Sequence, residues 1–292
     1  SKKDLAKLEI PIPKSDRDKK ILNKKAKDLY KERQVTIQNY KDRFQKMEKI
    51  FLEEIGIENL FKLDSSKNNT RIVSWQYITS DNLDSTFYTG KIYNISRALN
   101  NIDTIKIDNI ASVRRGQSIS KNIQHGNDYI LLKNNRISPY SVDLNSLETI
   151  SNRNQIKQIF LEPKDIVINT IGKTLGATAL VEELYDKKII FDNHVARIRI
   201  KNEAGIKPKY LVICLNSVLG QTQFTLAMKG SYRQLNINDI KQVEVPFISV
   251  KEQENIIKKV YDFYNKINKK YKNFDKAKAE SLKTIENILL SK

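Results

Sequence analysis

A mixed α/β fold is predicted, one globular domain flanked by two long helices that form an antiparallel, coiled-coil-like pair. Three observations carry the prediction. Two long stretches contain neither Gly nor Pro and place apolar residues at three- and four-residue steps. The region between them holds almost all the glycines and a series of short β-type runs. Each helix is introduced by a similar junction, "KDLAKLEIPIPKSDRDKKI" at 3–21 and "NDIKQVEVPFISVKEQENI" at 238–256.

In chain order, residues 1–13 end in a β-type run closed by proline, "LEIPIP". A first helix fills 14–57, with Ile21, Leu22, Ala26, Leu29, Ile37, Tyr40, Phe44, Met47 and Phe51 on one stripe. Residues 58–246 form the globular domain, with strand candidates "KIIF", "VARIRI" and "DIVINTI" and the helical candidate "KPKYLVICLNSVLGQTQF". The second helix fills 247–292, its stripe running through Ile256, Ile257, Val260, Phe263, Tyr264, Ile267, Tyr271 and Phe274 to Leu282, Ile285 and Leu289. Ser15 and Ser249 are the candidate N-caps. Glu9 with Glu244 and Pro11 with Pro246 align at one offset of 235 residues, so a strand–helix unit is repeated. Helices of about forty residues span roughly 60 Å. Their stripes need a cover, and the economical one is each other, antiparallel, which brings both ends of the intervening region together. The other arrangement lays each helix separately on a globular domain.

Composition narrows the function. With 292 residues, 39% hydrophobic and 29% charged, the chain can bury a sizeable core and needs no disorder. A formal net charge of +18 exceeds what solubility requires and favours nucleic acid or an anionic surface. No apolar run is long enough to span a bilayer, and residues 1–30 lack a signal-peptide apolar core, so no membrane partner is expected. The single cysteine, Cys214, sits in "YLVICL" and reads as a small core residue. A chain without disulfides suits the cytoplasm.

Catalytic constellations are missing. "IGKTLG" at 171–176 resembles the tail of a phosphate loop, but Val167 stands where that loop needs its leading Gly. There is no Gly-rich dinucleotide or S-adenosylmethionine loop and no N-P-P-[YF] tetrapeptide. "LEPKD" at 161–165 carries the residues of a nuclease motif in scrambled order and reads as a turn. His125 and His194 have no ligand-spaced neighbours, so no catalytic residue, metal site or cofactor is expected in this chain.

Basic, amide-rich loops are the informative feature. "SVRRGQSISK" offers Arg114, Arg115, Gln117, Ser118 and Lys121; "LLKNNRIS" offers Lys133, Asn134, Asn135 and Arg136; the loop at 171–176 offers Lys173 and Thr174. "MKGSYRQLNI" adds Lys229, Ser231, Tyr232, Arg233 and Gln234. These side chains grip phosphates and read base edges, Arg pairing with guanine and Asn or Gln with adenine. Any one such loop could be a solvated turn; several in one basic domain point to DNA.

These segments resemble the DNA-specificity subunits of type I restriction-modification enzymes and the target-recognition domains fused to some type IIG enzymes. The matching elements are "NLDSTFYTGK" (82–91), "SVRRGQSISK", "YILLKNNRIS", "LEPKDIVINTIGKTLGATALV" (161–181), "FDNHVARIRI" (191–200), "YLVICLNSVLGQTQF" (210–224) and "KGSYRQLNINDIKQVEVPFISVKEQENI" (229–256), then the long helix. Pro246, Glu252 and Gln253 match the family's way into that helix; at the offset of 235, Arg17 and Asp18 stand in place of Glu252 and Gln253 in the first copy. The resemblance implies two recognition domains joined by two long antiparallel helices, with residues 1–13 the closing strand of an upstream domain. It implies a chain non-catalytic by itself that reads one half-site of a bipartite duplex DNA target. The expected partners are modification (methyltransferase) subunits that methylate adenine with S-adenosylmethionine, and a restriction subunit, with ATP and Mg also in those partners. Two other readings remain: the recognition region of a single-chain type IIG enzyme, and a basic coiled-coil interaction protein that binds RNA.

Overall fold

A computed structural model of the chain describes residues 15–58, 95, 98–119, 125–144, 147–151, 159–182, 188–228 and 234–290. The strand read at 8–13 lies outside them. Helix α1 spans Asp16–Glu54. The globular region then runs β1 (Thr104–Lys106), α2 (Ile107–Ile110), β2 (Ala111–Arg115) and β3 (His125–Leu132), followed by a 3-10 turn at Asn134–Arg136. It continues through β4 (Ile137–Ser138), β5 (Ser141–Val142), β6 (Glu148–Ile150), β7 (Ile166–Asn169), β8 (Thr178–Leu180), β9 (Lys188–Phe191) and β10 (Val195–Ile200). Helices α3 (Pro208–Asn216), α4 (Val218–Ala227) and α5 (Ile237–Gln242) precede β11 (Glu244–Pro246) and the long α6 (Val250–Leu290).

Two compact units emerge, Ser1–Met47 with Tyr261–Lys292, and Glu48–Val260. In the first, the long helices meet where the buried Arg43 donates to Asn268 Oδ1 at 2.5 Å and its guanidinium lies over the Tyr264 ring at 5.2 Å. In the second, the last turn of α1 lies beside the first turns of α6: Asn255 Nδ2 and Lys259 Nζ both donate to the Glu54 carboxylate, at 2.7 and 2.5 Å. End beside beginning is the placement an antiparallel pair requires. Phe51, Ile256 and Val260 are buried there, Phe51 edge-on to Tyr210.

Both long helices open on a serine N-cap, and at α6 it is part of a full capping box. Ser249 Oγ accepts from Glu252 N and the Glu252 carboxylate accepts from Ser249 N and Oγ. Those bonds hold the exposed Glu252 carboxyl below its ordinary value. In the first copy Ser15 Oγ accepts from Asp18 N at 3.0 Å and donates to Asp18 Oδ2 at 2.7 Å. Asp18 therefore stands where Glu252 does and shares the serine hydroxyl bonds, and the caps align one residue off the offset of the strands; by the caps, Lys19 falls where Gln253 stands. Gln253 is fully buried and spans three backbone groups: it donates to Gly205 O and Ile248 O and accepts from Lys207 N. That side chain fastens the start of α6 to the globular region.

Four strands in the order β2-β10-β7-β8 make the main sheet, antiparallel throughout, and β6-β3-β9 a second one. Their facing sides share a core of Ile130, Leu132, Leu161, Val167, Ala179, Ile189, Phe191 and Val195. Alternation sends Ile166, Ile168, Ala196 and Ile198 to the other side of the main sheet, equally buried. Near-continuous apolar strands such as "IVIN" follow from burial on both faces. The candidate helix over 207–224 is two helices. Ser217 ends α3 by donating its hydroxyl to Cys214 O, and α4 restarts with Val218 N donating to the Glu48 carboxylate at 2.9 Å. Cys214 is buried, and burial pushes its thiol up.

At the foot of the sandwich Arg199 binds the buried Asp165 through Nε and Nη2, at 2.7 and 2.8 Å, and Glu162 through Nη1 at 2.6 Å. The bond to Asp165 holds the guanidinium above its ordinary value. "LEPKD" is thus a turn between strands, with Lys164 at φ 73 and Glu162 N donating to Asp165 Oδ2.

Candidate nucleic-acid interface

Strand alternation separates two adjacent arginines. Arg115 sends its guanidinium across to Leu235 O at 2.7 Å and is half-buried. Arg114, on the opposite face, is exposed and lies opposite Arg197 of β10. Like charges placed so repel, and Arg197, itself buried, has its guanidinium pushed down by burial. Gly116 comes next because nothing larger fits. A Cβ there would stand 2.1 Å from Asp192 O and 2.2 Å from Phe191 O. The close approach lets Gly116 N donate to Val195 O and Gln117 N to Phe191 O, so Gln117 forms a bridge beside Asp192 while Ser118 is exposed.

Strand β3 ends at Leu132, whose carbonyl accepts from Asp192 N at 3.1 Å. Lys133 is ion-paired with Glu148 and Arg136 with Asp143, all four partly exposed. Ion pairs at this exposure stabilise by only about 0–1 kcal/mol, so either cation can be exchanged for a phosphate at small cost. Asn134 donates to Ile171 O at 3.5 Å, the outer limit of a hydrogen bond, and Asn135 is exposed.

The β7–β8 connection carries Lys173 and Thr174 at its exposed tip. Asn169 shapes it: the buried Nδ2 donates to Ile137 O at 3.2 Å and to Thr174 Oγ1 at 2.7 Å. Gly172 takes φ 90, open to glycine at little cost. This hairpin joins two antiparallel strands, whereas a phosphate loop leads from a strand into a helix.

Backbone bonds gather the loops. Thr170 N donates to His194 O, Leu235 N to Thr170 O, and Ile171 bridges Gln234. Segments 115–117, 132–136, 169–176, 192–194 and 234–235 thereby meet at one rim. Asn135 and Lys173 are exposed there, and Arg114 is exposed one residue before it in β2; none of the three has a hydrogen-bond or ion-pair partner among the described residues. Lys121, Lys229, Ser231, Tyr232 and Arg233 lie outside the described residues.

The sequence reading did not single out Asp192, Asn169 or Thr170. Asp192 accepts from His194 N at 2.9 Å, closing a turn between β9 and β10. Burial raises its carboxyl above the ordinary value, against the His194 bond and the charges of His194 and Lys133. An Asp-Asn pair between two β-type runs is a turn signal that could have marked the place. Asn169 Oδ1, Thr170 Oγ1 and His194 Nδ1 are buried here without a hydrogen-bond partner among the described residues. No group of three His, Cys, Asp or Glu among the described residues could hold a metal ion, and no described helix is long and apolar enough to cross a membrane.

Residues 100–274, more than half of the chain, match the family described as the type I restriction modification DNA specificity domain. Over 131 residues the chain is 32% identical to the type I restriction enzyme EcoBI specificity subunit of Escherichia coli, a match covering 44% of this chain and 27% of that one. Among solved structures, the HsdS subunit from Thermoanaerobacter tengcongensis is 12% identical with a TM-score of 0.49, covering 94% of this chain and 56% of that one. The S subunit of a type I restriction-modification system from M. genitalium is 15% identical with a TM-score of 0.49, covering 99% and 65%. The chain thus spans less than two thirds of each of these proteins.

Proposed function

The chain belongs to the type I restriction modification DNA specificity domain family, and on that footing we propose that its globular domain reads one half of a bipartite duplex DNA target for subunits that carry the chemistry. One observation supports this above the rest: five separate segments meet at a single rim that presents exposed Asn135 and Lys173, with exposed Arg114 one residue before it in β2. Arg114 and Lys173 serve as phosphate grips, which position a duplex without reading it. Gln117, Asn134 and Asn135 are the readers; an Asn or Gln amide can bond adenine at two points, worth about 1–3 kcal/mol of discrimination. Arg115 acts at one remove, holding Leu235 and hence the segment beside Ile171. The long helices set the gap between half-sites and dock the methyltransferase subunits, which bring S-adenosylmethionine; ATP and Mg belong to the assembled restriction enzyme.

The test begins with selection of preferred duplexes from a random pool by the purified chain, followed by titration of every single-base variant of the winner. Arg114→Ala should weaken all duplexes alike and reduce the salt slope by about one unit. Asn134→Ala should relax one position. A uniform loss with Asn134→Ala would move that residue to a positioning role, and equal affinity for every duplex and for RNA would sink the reading. Labelled S-adenosylmethionine should leave DNA unmarked until a methyltransferase subunit is added.

A further inference from the structure

The outer face of α1 differs between its two halves. Arg17, Lys20, Lys24, Lys27 and Lys31 follow one another at alternating steps of three and four residues, and all are exposed. At 3.6 residues per turn they lie on one line within about 80° of arc, opposite Leu22, Met47 and Phe51. None of the five has an ion-pair or hydrogen-bond partner among the described residues; the pair nearest them is Lys19 with Asp16, at 3.0 Å. Farther along, the same line reads Gln38, Asp42, Gln45, Lys49 and Glu53. There the groups satisfy one another: Gln38 donates to Asp42 at 2.8 Å and Lys49 pairs with Glu53 at 3.6 Å.

Helix stability does not account for such a stripe. Like charges three and four apart repel, and the N-terminal turns of a helix favour anions. The repeated junction shows that the helix can do without it. Aligned by their caps, the corresponding positions of α6 are Lys251, Glu254, Lys258, Tyr261 and Asn265. What suits a regular line of cations is a regular line of anions. From Arg17 to Lys31 the helix rises about 21 Å, a length over which one strand of duplex DNA presents about six phosphates. Carboxylates on a protein surface have no such period.

From these observations we infer that the Arg17–Lys31 stripe is a second DNA contact, gripping duplex phosphates without regard to sequence. The inference rests on the DNA-reading function proposed above. Its test compares the full chain with a variant carrying Lys20→Gln, Lys24→Gln, Lys27→Gln and Lys31→Gln, substitutions that keep good helix formers. Fluorescence anisotropy on a 40-base-pair duplex is followed across salt concentrations. The slope of log affinity against log salt should become shallower by about three to four units, while melting temperature and the ranking of half-site variants stay put. An unchanged slope overturns the stripe. So does an unchanged slope with loss of co-purifying methyltransferase subunit, which would assign the stripe to a protein. A wild-type chain without sequence preference would defeat the half-site reading alone, because the slope is measured on any duplex.

Discussion

Gly116→Ala should be among the most damaging single-methyl changes available to the domain. The added Cβ would sit 2.1 Å from Asp192 O and 2.2 Å from Phe191 O, where ordinary contacts between non-bonded atoms lie near about 3.5 Å. Both obstacles are backbone, so relief requires the end of β2 to move away from the β9–β10 turn by more than an ångström. That motion breaks the bonds from Gly116 N to Val195 O at 3.0 Å and from Gln117 N to Phe191 O at 3.1 Å. Two hydrogen bonds at about 1 kcal/mol each and an overpacking cost of about 1–3 kcal/mol sum to roughly 3–5 kcal/mol. Against a domain stability of about 5–15 kcal/mol, that is a large fraction. Gly172→Ala supplies the contrast. It has φ 90 but its nearest neighbour is Asn134 Nδ2 at 3.6 Å, so backbone strain of about 1–2 kcal/mol is all it should cost. Urea titration followed by circular dichroism measures both. A Gly116→Ala chain within about 0.5 kcal/mol of wild type, or less affected than Gly172→Ala, would refute the close-approach argument.

Three further outcomes follow from buried polar groups. Arg199→Ala leaves Asp165, 1% exposed, without its strongest partner and should cost about 3 kcal/mol, the lower end for a broken buried pair because Arg199 itself is partly exposed; a loss under 1 kcal/mol in denaturant titration would contradict it. Gln253→Ala strands three backbone groups and should cost at least about 3 kcal/mol, with Gln253→Glu rescuing little because a carboxylate cannot donate to Gly205 O and Ile248 O. Asp192 has its folded-state carboxyl raised by burial, so it favours the fold fully when protonated, below the ordinary value near about 4, and that contribution is lost as pH rises through the folded value. Asp192→Asn keeps an acceptor for His194 N, so it should remove this pH dependence and melt no lower than wild type at neutral pH.

How much the sequence discloses depends on where a feature's cause resides. The long helices are legible because an unbroken 3.6-residue period and a Ser cap are written in side chains, and α1 and α6 begin one residue after Ser15 and Ser249. Strands β9 and β10 coincide with "KIIF" and "VARIRI". "DIVINTI" stops at Asn169 because that side chain turns to Ile137 O and Thr174 instead of continuing the ladder. Neither partner belongs to the run itself: Ile137 lies in an earlier strand and Thr174 past its end. The break at Ser217 was hidden for a similar reason, since it lacks Gly or Pro and depends on a hydroxyl reaching Cys214 O.

The rim shows the same division. Its loops stand out by composition, but the bonds that assemble them run mostly through backbone: Thr170 to His194, Leu235 to Thr170, Asp192 to Leu132. Any residue type but proline could make those bonds, so no motif announces them. Arg114 and Arg115 are the exception that a sequence could have resolved. In a strand of period two, neighbours face opposite ways; on an edge strand with "ASV" buried, exposed, buried before them, Arg114 falls on the face of Ser112 and Arg115 on that of Val113. The first is therefore the exposed one and the second the one drawn inward, where Leu235 O receives it. Two identical side chains in succession thus face opposite ways, one exposed and one bonded inward, and the glycine after them lets the strand end bond Val195 O and Phe191 O.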